Sequence, residues 1–279
     1  MKDVNEAVSR FLNRKPECTF SNGIFLNGLT AMFSVSEKEE YRQAILDFIS
    51  KHVSPEGVIL AAPACTADLA ACGKTLFFAL DKTHDERYKK ALDTVANQVK
   101  ASPLPDTPAG LYAVMPFLAE YDTRFGGKQA YKAIAHQFKA VHQRLFDSEK
   151  GLYCAENGLF SIQDEGFMLM ALADTAEKLD MQIYEHYRTL TDMLFDAVRL
   201  PYRHKTDHLF LPCDDPSGNY MIVYAILKGV RLQMLDAEKF LPFAFQLASD
   251  LSACDNVEEA CDLGVKLLAE AEIKEAGWL

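Results

Sequence analysis

DTPAGLYAVMPFLAEY, residues 106–121, reads as the start and body of a buried helix. Thr107 is suited to cap it, and Pro108 follows at a first-turn position where a missing N–H costs nothing. Leu111, Val114, Met115 and Leu118 then fall at helical spacing on one apolar face. Pro116 lies deep enough to remove a backbone hydrogen bond and bend the helix. Such a helix, which leaves a polar loop and passes under apolar neighbours, suits the floor of a pocket.

Working outward, the same pattern recurs along the chain. A Gly opens an apolar helix, a short polar turn follows, and a second helix begins near a Tyr or Phe. The copies span residues 22–49, 72–99, 109–146, 165–198 and 217–251, between an opening helix at about 2–13 and a last one at about 255–271. Their leading glycines, at 23, 73, 110, 166 and 218, are roughly fifty residues apart, one hairpin and its connection. The first helix of each copy is apolar nearly all round, as an inner helix covered on both sides should be. The second is amphipathic, with Lys and Glu on one side. Five hairpins, with the first and last helices closing on each other as a sixth pair, predict an all-α fold. It is a single (α/α)6 barrel domain over 1–279, with short β-hairpin loops on its rim. An open solenoid of helical hairpins has the same periodicity. Between hairpins, 57–63 suggests a short strand, 151–162 a hairpin around Asn157–Gly158, and 207–218 an apolar then turn-rich loop. In a closed barrel these loops gather where inner helices begin, so chemistry is expected there.

Composition narrows the function. A formal net charge of −11 argues against nucleic acid as a partner, and mildly against an acidic ligand unless basic groups are concentrated in the site. The opening MKDVNEAVSRF is an amphipathic helix rather than a signal peptide, and no apolar run reaches membrane-spanning length. Cysteines at 18, 65, 72, 154, 213, 254 and 261 form no C-x-x-C pair and leave one over in any full pairing. They read as free thiols of a cytoplasmic protein. No phosphate loop, nucleotide fingerprint or nucleophile elbow is present, so no cofactor is expected. His204 and His208, with Asp207 and Cys213, would share a helix face, but Pro201 and Pro212 make that segment a loop, and no metal site is expected.

Four segments carry a resemblance. They are TADLAACGKTLFFALDKTHDERYKKA at 66–91, AGLYAVMPFLAEY at 109–121, DEGFMLMALADTAE at 164–177 and SGNYMIVYAILKGVRLQMLD at 217–236. Together they resemble glycoside hydrolase families 88 and 105, the unsaturated glucuronyl and rhamnogalacturonyl hydrolases, over roughly residues 20–240. The resemblance implies hydration of the C4–C5 double bond of an unsaturated uronic sugar. That bond is an enol ether, which one carboxyl can protonate while it helps water to add. The implied ligand is a small carbohydrate. Oligomeric state is left open.

The correspondence is uneven at the residues that matter. The family's Asp before Gly-Leu-Tyr falls on Ala109. In its Arg-Gly-Asn-Gly-Trp motif the Arg falls on Gln163, the Asn on Glu165 and the Trp on Phe167, and a His falls near Cys154–Ala155. Asp68 keeps the family's first acid, as a catalytic or sugar-binding group, or as an N-cap or dipole-favoured first-turn acid on a helix over 69–80. Asp106 replaces the acid lost at Ala109 if the shortened loop turns it inward, and otherwise is a loop acid. Candidate sugar contacts are Asn22, Tyr112, Gln163, Asp164, Phe167 and Ser217. Each has a plainer reading. Asn22 is a cap, Tyr112 and Phe167 are core, Asp164 and Glu165 are dipole-favoured caps, and Asp214, Asp215 and Ser217 belong to a turn and cap. The one Trp, at 278, is far from any rim segment. Two readings of function follow: a hydrolase of unsaturated uronic oligosaccharides, or a catalytically silent sugar-binding or scaffold protein.

Overall fold

The computed structural model describes residues 4–13, 17–60, 63, 65–154, 157–203, 215–252 and 259–277. The chain divides into two compact units, Met1–Pro103 with Glu258–Ala271, and Leu104–Val257 with Glu272–Leu279.

The first unit holds α1 (Val4–Asn13), α2 (Phe20–Ser36), α3 (Glu39–His52), α4 (Thr66–Thr83), α5 (Glu86–Ala101) and most of α12 (Ala260–Glu275). Helices α2 and α4 lie side by side, α3 packs on both of them, and α5 packs on α4. The distinction between inner and outer helices is visible residue by residue. In α4 every residue from Leu69 to Gly73 is buried. In α5 burial is confined to Tyr88, Ala91, Leu92, Val95, Ala96 and Val99, a stripe at helical spacing. The last helix returns to the first inner one. A Cβ on Gly264 would stand 2.6 Å from the Phe25 nitrogen, and one on Gly28 would stand 2.7 Å from the Gly264 carbonyl oxygen. Only paired glycines allow α2 and α12 so close an approach.

The second unit holds α6 (Pro108–Tyr121), α7 (Tyr131–Leu145), β1 (Phe146–Asp147), β2 (Leu152–Tyr153), α8 (Ile162–Lys178), α9 (Tyr184–Arg203), α10 (Pro216–Arg231) and α11 (Ala237–Ser252). Helix α6 starts as its sequence dictates. Thr107 accepts a hydrogen bond from the Gly110 N–H, Pro108 occupies the first turn, and burial extends nearly all round. The helix runs through Pro116 to Tyr121, then widens into a π-turn over Asp122–Gly126. Helices α6, α8 and α10 form a row, with α8 in the middle, and α9 and α11 pack on α8 and α10.

The row is parallel. Near their starts α6 and α8 meet through Tyr112 and Phe167, ring centroids 5.7 Å apart. Beyond their far ends, Thr123 Oγ1 donates to the Lys178 carbonyl at 2.6 Å. Helices α8 and α10 touch near their starts at Gly166 and Gly218, and near their ends through Asp174 and Lys228, 2.7 Å apart. The three N-terminal turns therefore lie at one end of this unit, and the three positive dipole ends lie together.

The β-structure differs in detail from expectation. Among the described residues of 57–63 the β-structure is an isolated bridge, Val53 to Ile59. The hairpin in 151–162 is two pairings: β1 with β2 in antiparallel register, and a bridge between Cys154 and Phe160 that brackets Asn157–Gly158. Most of 207–218 lies outside the described residues, as do His204, Asp207, His208, Cys213, Asp214, Ala155 and Trp278.

Candidate functional site

In the first unit, the starts of α2 and α4 are tied together. Thr19 caps α2 by accepting from the Asn22 N–H, and the Asn22 side-chain amide donates back to the Glu17 carbonyl at 2.8 Å. Helix α4 begins three residues before the expected start, behind Cys65, which offers no side-chain cap. Asp68 does not cap its own helix. Its Oδ1 accepts from the backbone N–H of Phe20, 2.6 Å away at the first residue of α2. One oxygen is thus fixed across two helix starts, and the side chain is only partly buried. One turn further on, Cys72 Sγ donates to the Thr19 carbonyl, and Cys18 and Cys72 are both free thiols. Cys18 and Cys72 also line an apolar pocket with Phe48, His52, Leu69 and Val95, which holds none of the candidate contacts.

In the second unit, Tyr112, Asp164, Phe167 and Ser217 lie near the starts of α6, α8 and α10, and of these Tyr112 meets Phe167. Ser161 caps α8 by accepting from the Asp164 N–H. Gln163 faces solvent. Tyr112 and Phe167 are both buried, their rings against each other across the α6–α8 seam. Asp215 caps α10 by accepting from the Gly218 N–H at 2.9 Å, as expected of a turn acid, and Ser217 is buried beside it. Asp106 is not brought to this cluster. Its side chain is 71% exposed and stands 3.8 Å from Arg144 Nη1, while its carbonyl accepts from the same guanidinium.

The two adjacent carboxyls of α8 differ sharply. Glu165 is 1% exposed, its Oε2 accepts from the Tyr153 N–H at 2.7 Å, and its Oε1 has no hydrogen-bond partner among the described residues. Burial pushes its carboxyl up to about 8, against the modest opposing effect of the Tyr153 bond, so it carries a proton at neutral pH. A neutral acid gains little from the helix dipole, so Glu165 is not the dipole-favoured cap its position suggested. Asp164 is partly buried, and its carboxyl makes no hydrogen bond or ion pair with a described residue. Burial alone raises it above the ordinary carboxylate value. The Ser161–Asp164 spacing was readable as a helix start, but nothing near Glu165 in sequence announces that the chain will fold a hairpin over it.

No group of three or more His, Cys, Asp or Glu side chains among the described residues is arranged to hold a metal ion. No described helix is long and apolar enough to cross a membrane.

The family model for Glycosyl Hydrolase Family 88 matches residues 1–161. The structure is similar to that of a C. acetobutylicum glycoside hydrolase from family 105, with a TM-score of 0.80 and 22% identity over 97% of this chain and 99% of that one. It is also similar to a family 88 glycosyl hydrolase from Bacteroides vulgatus, with a TM-score of 0.79 and 16% identity over 98% of each chain. An inactive variant of an alpha-1,6-mannanase from a Salegentibacter species, in complex with alpha-1,6-mannotetrose, matches with a TM-score of 0.64 and 13% identity over 91% of this chain and 88% of that one. No curated protein matches. These likenesses show the expected fold class, an all-α (α/α)6 barrel of helical hairpins, and set aside the open solenoid.

Proposed function

The chain belongs to Glycosyl Hydrolase Family 88, and from that premise we propose that it is a cytoplasmic, single-domain protein that takes small unsaturated uronic sugars and hydrates their C4–C5 double bond. The observation that carries this reading is Asp68. Its carboxylate is held by one oxygen on the Phe20 N–H at a partly exposed helix start, and its other oxygen makes no hydrogen bond with a described residue. That geometry suits an acid that must meet a ligand rather than cap its own helix. A related fold with mannotetrose bound is consistent with a small carbohydrate ligand.

Ala109 and Gln163 favour a second reading, a silent sugar binder, because neither residue can move a proton or pair with a carboxylate. Turnover decides between them. Loss of near-ultraviolet absorbance is followed for unsaturated uronic disaccharides with wild type and Asp68→Asn. Turnover that falls at least about 100-fold in the variant supports the hydrolase and its acid, the size expected for removing an acid–base group. A folded wild type that binds these sugars without consuming them supports the silent binder.

A further inference from the structure

Helices α2 and α4 meet tightly where they begin, and two thiols lie in that seam. A Cβ on Gly23 would stand 2.9 Å from the Cys72 nitrogen, so the backbone of α4 at Cys72 lies directly against α2. Side chains on a helix lean toward its N-terminus. Cys72 accordingly reaches back one turn along α2, and its Sγ lies 3.4 Å from the Thr19 carbonyl oxygen. Thr19 follows Cys18 directly in the chain, and Cys18 and Cys72 line the same apolar pocket. Both are free thiols, Cys18 partly exposed and Cys72 buried.

The two sulfurs differ in reactivity. Hydrogen bonding from Cys72 lowers the Cys18 thiol, against burial and the Asp68 charge. The same contact, together with burial, pushes Cys72 well up. Burial also pushes up Cys154 and Cys261. The thiolate is the form that attacks an oxidant, so the sulfur that is both accessible and more acidic reacts first.

We propose that Cys18 and Cys72 form a peroxide-responsive dithiol site, in which Cys18 is oxidised first and Cys72 closes a disulfide onto it. The co-reactant is a small hydroperoxide. A disulfide that forms and is reduced again is also the kind a reducing compartment permits.

The chemistry balances with hydrogen peroxide. The Cys18 thiolate sulfur bonds to one peroxide oxygen and the O–O bond breaks. The departing hydroxide takes up the proton released when Cys18 ionised, giving water. Cys18 is then a sulfenic acid, and the peroxide has been reduced. Cys72 has lost the thiolate that held its proton. Its sulfur bonds to the Cys18 sulfur, the S–OH bond breaks, and the hydroxyl leaves with the Cys72 proton as a second water. Two thiols and one peroxide give one disulfide and two waters. The bridge joins α4 to the residue before the α2 cap, next to the Phe20 N–H that holds Asp68.

The test uses the full-length protein, treated with hydrogen peroxide, alkylated, and digested without reduction for mass spectrometry. The Cys18 and Cys72 thiols should be lost together, a crosslinked Cys18–Cys72 peptide pair should appear, and dithiothreitol should restore both thiols. Cys72→Ser should stop at a sulfenic acid on Cys18, trapped by dimedone, and Cys18→Ser should leave Cys72 reduced. The wild-type map stands whether or not either variant folds. Cys18 and Cys72 that stay alkylatable in folded wild type, while the denatured chain is oxidised, overturn the proposal. A bridge from Cys18 to any other cysteine overturns it as well. So does Cys72 oxidised as fast in Cys18→Ser as in wild type.

Discussion

Lys228→Met isolates the charge cluster that joins α8 to α10 far from the candidate site. Lys228 Nζ lies 2.7 Å from Asp174 Oδ1, 2.9 Å from Glu177 Oε2 and 2.8 Å from the Tyr224 hydroxyl, and its side chain is 7% exposed. Burial works to lower its pKa, but the attraction of Asp174, Glu177 and Glu272 outweighs burial and holds the ammonium charged. Methionine keeps the length and removes the charge. Breaking a buried pair by deleting one partner costs about 3–5 kcal/mol, because the other charge stays buried and uncompensated. Here the survivors keep some support. Asp174 still accepts from Tyr224 at 2.6 Å, and Glu177 still has Arg231 at 2.9 Å. That places the cost at the lower end, about 3 kcal/mol, or a melting temperature lower by roughly 6–12 °C for a chain of this size. Acid pH gives a further signature. Burial raises the Glu177 carboxyl, but Lys228, Lys178 and Arg231 overcome it and depress the folded pKa well below the ordinary value. Its contribution is present above the unfolded value of about 4.3 and lost as pH falls toward the folded one, so the gap between wild type and variant narrows on acidification. Urea unfolding between neutral and acid pH measures both effects. The triple variant Lys228→Met, Asp174→Asn, Glu177→Gln, which removes the charges together, should regain most of the loss. A single variant within about 1 kcal/mol of wild type would refute the reasoning, since it would mean the carboxylates escape to solvent at little cost.

Glu165→Gln should reverse a pH trend. A carboxyl whose folded pKa is raised to about 8 makes the fold bind a proton that the unfolded chain has lost, so stability falls by roughly 1.4 kcal/mol per pH unit between about 4 and about 8. The amide should flatten that slope and raise the melting temperature at pH 8; an unchanged slope would show that Glu165 ionises freely in the fold. Gly264→Ala should destabilise by about 1–3 kcal/mol, since its Cβ would meet backbone atoms of Ile24 and Phe25 within 2.8 Å and backbone cannot step aside. A neutral result in thermal melting would mean that α2 and α12 are not packed as closely as described.

Much of the fold was legible because its periodicity is local. Apolar residues all round α6 and a stripe on α5 are properties of short windows, and Thr107, Pro108 and Asp215 announce helix starts by chemistry within a turn. The roles of the acids were less legible, because their partners are distant in the chain. Asp68 was readable as a cap or first-turn acid of its own helix, and it does lie in that first turn, yet its bond is to Phe20, 48 residues earlier. Glu165 is neutral because burial outweighs the N–H that Tyr153, 12 positions before it, lays on its carboxyl. Asp106 stays outward beside Arg144, on the outer helix that pairs with α6.

Five acids near inner-helix starts therefore have five different states, and the helix dipole alone decides none of them. Asp215 sits where dipole and cap agree, and it is consumed by them. Asp106 has a guanidinium and solvent, Asp68 has a foreign helix N–H, and Glu165 has burial strong enough to keep its proton. Asp164 alone has partial burial and no described partner. The dipole attraction of about 0.3–1 kcal/mol acts on the charge and needs no hydrogen bond, so Asp164 keeps it when ionised, while burial opposes the ionised form.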